Sequence, residues 1–160
     1  EFGQRSEWYC KQSLDWHLLD YGSYHRQTQE FVRQLNRFYK SRSPLWQLDY
    51  EESGFDWLDI DDQSNSIISF ARRASEPGDH LVCLLNFTPQ TINDYRIGLP
   101  ERCPYTLVFN SDVSDFGGSG AAVPTLLHPI QERYARAPNH GITSVPPLAG
   151  IIFQPKQDEK

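Results

Sequence analysis

Seven residues, Asp59-Ile60-Asp61-Asp62-Gln63-Ser64-Asn65, crowd carboxylates and an amide together in the way a hard divalent cation requires. An EF-hand loop, however, needs glycine at its sixth position and glutamate at its twelfth. Counted from Asp59, those positions hold Ser64 and Phe70, so the spacing fails. Asp and Asn also hydrogen-bond their own backbone, and the cluster predicts a turn between two strands. The glycine-rich stretch Asp115–Gly120 lacks the Lys-Ser/Thr ending of a phosphate cradle, and no strand feeds it into a helix. It predicts a tight or mobile loop whose glycines supply conformational freedom. The histidines, His17, His25, His80, His128 and His140, show no metal-binding spacing, and no Gly-x-Ser-x-Gly elbow occurs. Asp15 with Asp20, or Asp61 with Asp62, would need a set separation across a sugar to act as a glycosidase pair, and sequence proximity alone does not supply it. The residues themselves therefore yield no catalytic set and no metal site. What remains is a ring-rich opening, Trp8, Tyr9, Trp16, Tyr21 and Tyr24. These rings either stack on the apolar face of a sugar or pack between elements of structure, and the sequence leaves both open.

Two kinds of element must carry these residues. Phe31, Leu35 and Phe38 recur at i, i+4 and i+7, with Val32 and Tyr39 alongside, which predicts an amphipathic helix near residues 27–41. Arg33, Arg37 and Lys40 take its solvated side, and Ser43-Pro44 ends it. From Phe55 onward come short runs rich in β-branched and aromatic residues: FDWLDI, SIISFARRA, HLVCLLNF, DYRIGLP, YTLVFN and AGIIFQ. Turn clusters separate them, the pattern of an antiparallel sandwich. HLVCLLNF is apolar throughout and is expected to lie centrally, whereas SIISFARRA alternates and is expected to show one face to solvent. A lone helix cannot bury its apolar stripe by itself. It packs on the sandwich or belongs to a further body.

Composition removes several function classes. The formal net charge of −6 argues against nucleic acid and anionic membranes as partners. Cys10, Cys83 and Cys103 are odd in number and widely spaced, so neither a disulfide framework nor a zinc site is read, and a reducing cytoplasm is the expected compartment. No secretory leader and no apolar run near eighteen residues is visible.

Longer stretches resemble a known family. Glu1-Phe2-Gly3-Gln4, Glu7-Trp8 and Ser13-Leu14-Asp15-Trp16-His17-Leu18-Leu19 are similar to the end of the catalytic barrel of bacterial 1,4-α-glucan (glycogen) branching enzymes, members of the α-amylase superfamily. Val32-Arg33 and Leu35-Asn36 resemble the last barrel helix. Phe55-Asp56-Trp57 with Asp61-Asp62 resembles the start of the C-terminal domain. Its middle and closing strand are resembled by Asn86-Phe87-Thr88-Pro89, Tyr95-Arg96, Asn110-Ser111-Asp112 with Gly117-Gly118-Ser119, and Pro146-Pro147-Leu148-Ala149. The resemblance implies a mainly β fold: a C-terminal antiparallel β-sandwich preceded by a remnant, loop plus last helix, of a (β/α)8 barrel. It divides the chain into a barrel end at 1–50, an all-β sandwich at 51–156 and a frayed tail at 157–160. The chain is expected to begin after the barrel strands, so the family's catalytic carboxylates lie upstream and no catalytic residue is carried over. Glu1, Gln4 and Trp8 match positions beside the active cleft and are the candidate glucan contacts. Tyr9-Cys10-Lys11 departs from the polar run usual there. No cofactor and no metal is implied. The implied partners are an α-glucan, through the full enzyme, and the catalytic barrel, with the apolar faces of Phe31, Leu35, Phe38, Trp16 and Leu19 turned toward the latter or folded back onto the sandwich. Two other readings are a stand-alone glucan-binding module and the same part of a debranching or trehalose-forming relative.

Overall fold

The computed structural model describes residues 1–156. An irregular opening segment passes through a 3₁₀ turn, Trp16–Asp20, into the helix α1, Tyr24–Ser41. Gly22, at φ +75°, reverses the chain just before α1 begins. The helix stops at Arg42, which is extended, and Pro44 takes up the 3₁₀ turn Ser43–Leu45 that follows. The strands are β1 (Phe55–Asp59), β2 (Ile67–Arg73), β3 (His80–Asn86), β4 (Ile92–Leu99), β5 (Tyr105–Asn110), β6 (Leu126–Leu127), β7 (Asn139–Val145) and β8 (Gly150–Pro155).

Six of them form one sheet in the order β1-β2-β3-β8-β5-β6, and β4 pairs with β7 in a second; every pairing is antiparallel. The fold is mainly β. Between the sheets lies the main core, with Ile67, Val82, Leu84, Ile97, Leu99, Tyr105, Val145, Ile151 and Phe153 buried. Alternation along each strand sends the intervening residues to the opposite face of the large sheet. There α1 covers a second, smaller cluster of Phe38, Leu81 and Cys83, with Leu45, Phe70, Val108, Phe109 and Ile152 half-buried against it. This explains the unbroken apolar run of β3, which sits between β2 and β8 with both faces covered. Burial pushes the Cys83 thiol up to about 12.

The helix is thus folded onto the sandwich. Phe38 packs on Phe109 at 5.1 Å between ring centroids, and Phe31 meets Phe116 at 5.5 Å. Leu35 stays partly exposed beside an open groove of about 600 Å³ between α1 and the sheet. Two expectations change here. The outer face of β2 is only half open, because Phe70 stacks on Phe55 and Arg72 donates to the Leu45 carbonyl and to the Asp49 carboxylate. And β6 and β7 lie where no strand was expected. The frayed tail expected at 157–160 lies outside the described residues.

Candidate functional site

The opening segment is pinned at successive residues. Phe2 is 3% exposed and stacks on Trp16 at 5.1 Å. Its carbonyl oxygen lies 2.8 Å from His25 Nδ1. A carbonyl can only accept, so Nδ1 carries the hydrogen and donates. Gly3, at φ +72°, then turns the chain, and Gln4 bridges it: its Oε1 accepts from the Asp15 amide and its Nε2 donates to the Ser6 carbonyl. Of the sequence-derived candidates, Gln4 is half-buried with its amide occupied in holding the segment. Glu1 is exposed and lines a hollow with Gln29, Arg33, Asn36, Arg37 and Lys40 on the basic side of α1, where Arg33 also pairs with Glu30. Trp8 is 70% exposed on the same segment and does not line that hollow.

Three loops meet at one end of the sandwich, and each quoted motif there has a structural task. In Asn86-Phe87-Thr88-Pro89, Asn86 is buried; its Oδ1 accepts from the backbone and hydroxyl of Thr88, and its Nδ2 donates to the Gln90 and Pro146 carbonyls. The Leu148 amide answers by donating to the Thr88 carbonyl. In Asn110-Ser111-Asp112, Asp112 is 5% exposed, and its carboxylate accepts from the Ser119 amide, the Ser119 hydroxyl and the Ala121 amide. The glycine-rich loop wraps this carboxylate. A Cβ on Gly118 would fall 2.2 Å from the Asp112 carbonyl oxygen, so the close approach requires glycine. That loop is tied to α1 by Gln27, whose Nε2 donates to the Ser114 carbonyl at 3.2 Å.

The acidic cluster is a turn, as its composition predicts. Asp62 accepts from the Ser64 hydroxyl and from both the amide and the side chain of Asn65. Burial alone would raise its pKa, but these hydrogen bonds outweigh burial and hold the carboxyl below the ordinary value. Tyr95 faces it and is pushed up, by burial first and by the neighbouring Asp62 carboxylate next. Among the described residues no group of three or more His, Cys, Asp or Glu side chains gathers to hold a metal ion, and no helix is long and apolar enough to cross a membrane.

The sequence reading passed over a buried polar pair. Tyr105 is fully buried, accepts from the Glu101 amide at 3.1 Å, and lies 2.9 Å from His80 Nε2. The hydrogen between the phenol and Nε2 lies on one or the other according to the His80 tautomer. The only available signal was a histidine and a tyrosine opening two strands.

The geometry is therefore a sandwich with pinned loops and a helix-anchored opening segment, and no assembled catalytic group. Residues 57–156 match the family described as the alpha amylase C-terminal all-beta domain. The chain belongs to that family. The likeness to individual relatives extends beyond the domain, through α1 and the opening segment. A 1,4-alpha-glucan branching enzyme GlgB from Halothermothrix orenii is 44% identical over 155 residues, which is 97% of this chain and 24% of the relative. Proteins of the same name from Clostridium perfringens and Bacillus caldolyticus are 38% and 40% identical over 98% of this chain. The chain thus spans about a quarter of the length of the relatives it matches. Within this all-beta domain, the Asn86 and Asp112 motifs are explained as loop clamps.

Proposed function

We propose that this chain is the C-terminal part of a 1,4-α-glucan branching enzyme. The whole enzyme cuts an α-1,4 glucan, retains the donor segment as a covalent glycosyl intermediate on a carboxylate nucleophile, and passes it to a 6-hydroxyl to form an α-1,6 branch. The reacting carboxylates belong to a barrel upstream. Residues 1–50 are that barrel's last loop and helix, and 51–156 form the sandwich that buttresses it. In this arrangement the open groove beside Leu35 and the exposed Trp16, Tyr21 and Tyr24 meet the barrel, and Glu1, Gln4 and Trp8 lie at the rim of the cleft. The enzyme needs no cofactor and works in the cytoplasm on a glycogen-like polysaccharide. The observation that carries this reading is the 44% identity to a branching enzyme across both the opening segment and the sandwich.

The test compares two polypeptides on amylose. The protein carrying the upstream barrel should lower the iodine absorbance and create ends released by a debranching enzyme. The 160-residue chain should do neither. New α-1,6 linkages made by the short chain would overturn the reading.

One observation favours a second role, as a glucan-binding module. Trp57 is 41% exposed on the edge strand β1, held by Phe55 edge to face at 4.8 Å, and so presents a rigid ring. Retardation of this chain in an amylopectin gel, lost in Trp57→Ala, would support that role; free migration of both would remove it.

A further inference from the structure

We propose that His25 is a positioning residue for the opening segment, fixing the Phe2–Gly3 peptide by donating from Nδ1 and so setting where Glu1 and Gln4 emerge. The proposal rests on the reading that this segment borders the cleft of a branching enzyme. His25 stands in the first turn of α1, and α1 is fastened to the sandwich through Gln27 with Ser114 and Phe31 with Phe116. On its other side His25 reaches the carbonyl of a residue whose ring is buried against Trp16. Immediately beyond, Gly3 has a left-handed backbone that carries no side chain to restrict it, so the peptide plane before it is free to rotate unless a hydrogen bond holds it. The Phe2 ring fixes the segment's place, and His25 fixes its orientation. His25 thereby links α1 directly to the segment that bears the rim residues, beside the Phe2–Trp16 stack.

The experiment uses the full-length protein and three variants. His25→Phe keeps a ring without a donor, His25→Ala removes both, and His25→Asn returns an N–H at a similar reach. Loss of one oriented hydrogen bond is expected to lower kcat of His25→Phe about tenfold, with KM for amylose within about twofold. His25→Asn should recover most of kcat. Melting temperature and folded fraction are measured on every variant. A loss of activity that simply tracks the folded fraction overturns the proposal. So does equal kcat in His25→Phe and His25→Asn. If the wild-type full-length protein fails to branch amylose, the underlying reading falls first. If it branches and His25→Phe matches it, only the positioning role falls.

Discussion

The two faces of the large sheet are filled by different means. On the inner face Val82, Leu84, Ile151 and Phe153 are all 0% exposed, closed over by β4 and β7. On the outer face only Leu81, Cys83 and Phe38 are buried, while Phe70, Phe109 and Ile152 remain half open beside a groove of about 600 Å³. The flanking loops make the difference. Six strands about 4.8 Å apart make a surface roughly 24 Å wide, which neither a two-stranded sheet nor one helix of about 10 Å spans alone. On the inner face Ala137, Cys103 and Val123 from the flanking loops complete the cover, whereas on the outer face only Leu45, from the turn after α1, joins the cluster. A single α1 cannot close that face, however well its stripe is patterned. The inner core is complete within this chain, and the outer cluster is a partial cover.

That contrast is broken most directly by truncating one ring on each face. Phe153→Ala should cost about 4 kcal/mol, because a fully enclosed ring leaves a cavity its neighbours cannot fill. Phe109→Ala should cost about 2 kcal/mol, since its site already opens to the groove. Urea unfolding at matched conditions measures both, and equal losses would mean the two faces are equally closed. Next in size is the clamp that joins the outer cluster to the sandwich loops. Asp112→Ala strands the Ser119 and Ala121 amides and should cost about 2 kcal/mol. Asp112→Asn, which keeps an acceptor oxygen, should lose less, and the order of the two midpoints checks the role of that oxygen.

A third measurement probes the inner side through pH. Burial lowers the pKa of His80 below its ordinary value of 6.5; Glu101 and Asp79 pull it upward, and Arg73 pulls it down. The unfolded chain therefore takes up the proton first as pH falls. Stability should be highest above pH 6.5, decline as pH drops through that value, and level off once the folded form is protonated too. His80→Gln should remove this slope between pH 7.5 and 5. Unfolding midpoints that keep the same slope in the variant would assign it to other groups.

Much of this architecture was readable because the local patterns agree with burial. β2, β3, β5 and β8 are mostly apolar where they face a core, with Ser69, His80 and Asn86 the buried polar positions of β2 and β3, and α1 announces itself through Phe31, Leu35 and Phe38. β7 was not readable, because of its inward positions only Val145 carries an apolar side chain. Ile142 points outward at 46% exposure, while Asn139, Gly141 and Thr143 point inward. Gly141 is small because Leu99 and Leu127 press on it, with Leu99 Cδ1 at 3.2 Å from where a Cβ would stand. Packing against β4 overrides the propensity of the segment. The two-residue β6 is too short for any pattern. At the opening segment, the family resemblance singled out Glu1, Gln4 and Trp8 but could not reveal that Gln4 is tied to Asp15, or that His25 holds Phe2. Those are contacts between residues eleven and twenty-three positions apart, without a periodic signal.

The smallest expected effect is also the one that separates a partial cover from a finished surface. Leu35 lies on the groove side of α1 and is 38% exposed, so little apolar area leaves water there in this chain. Leu35→Ser should cost about 0.5 kcal/mol in the 160-residue chain, within the range of ordinary surface changes. In the longer protein, where the proposed barrel closes the groove, the same side chain becomes a core residue, and its truncation should cost about 2 kcal/mol or more. The comparison uses one substitution in two polypeptides, so helix propensity, equal in both, cancels. A several-fold larger loss in the long form places a partner over the outer face. The same small loss in both would leave that face open in the longer protein as well.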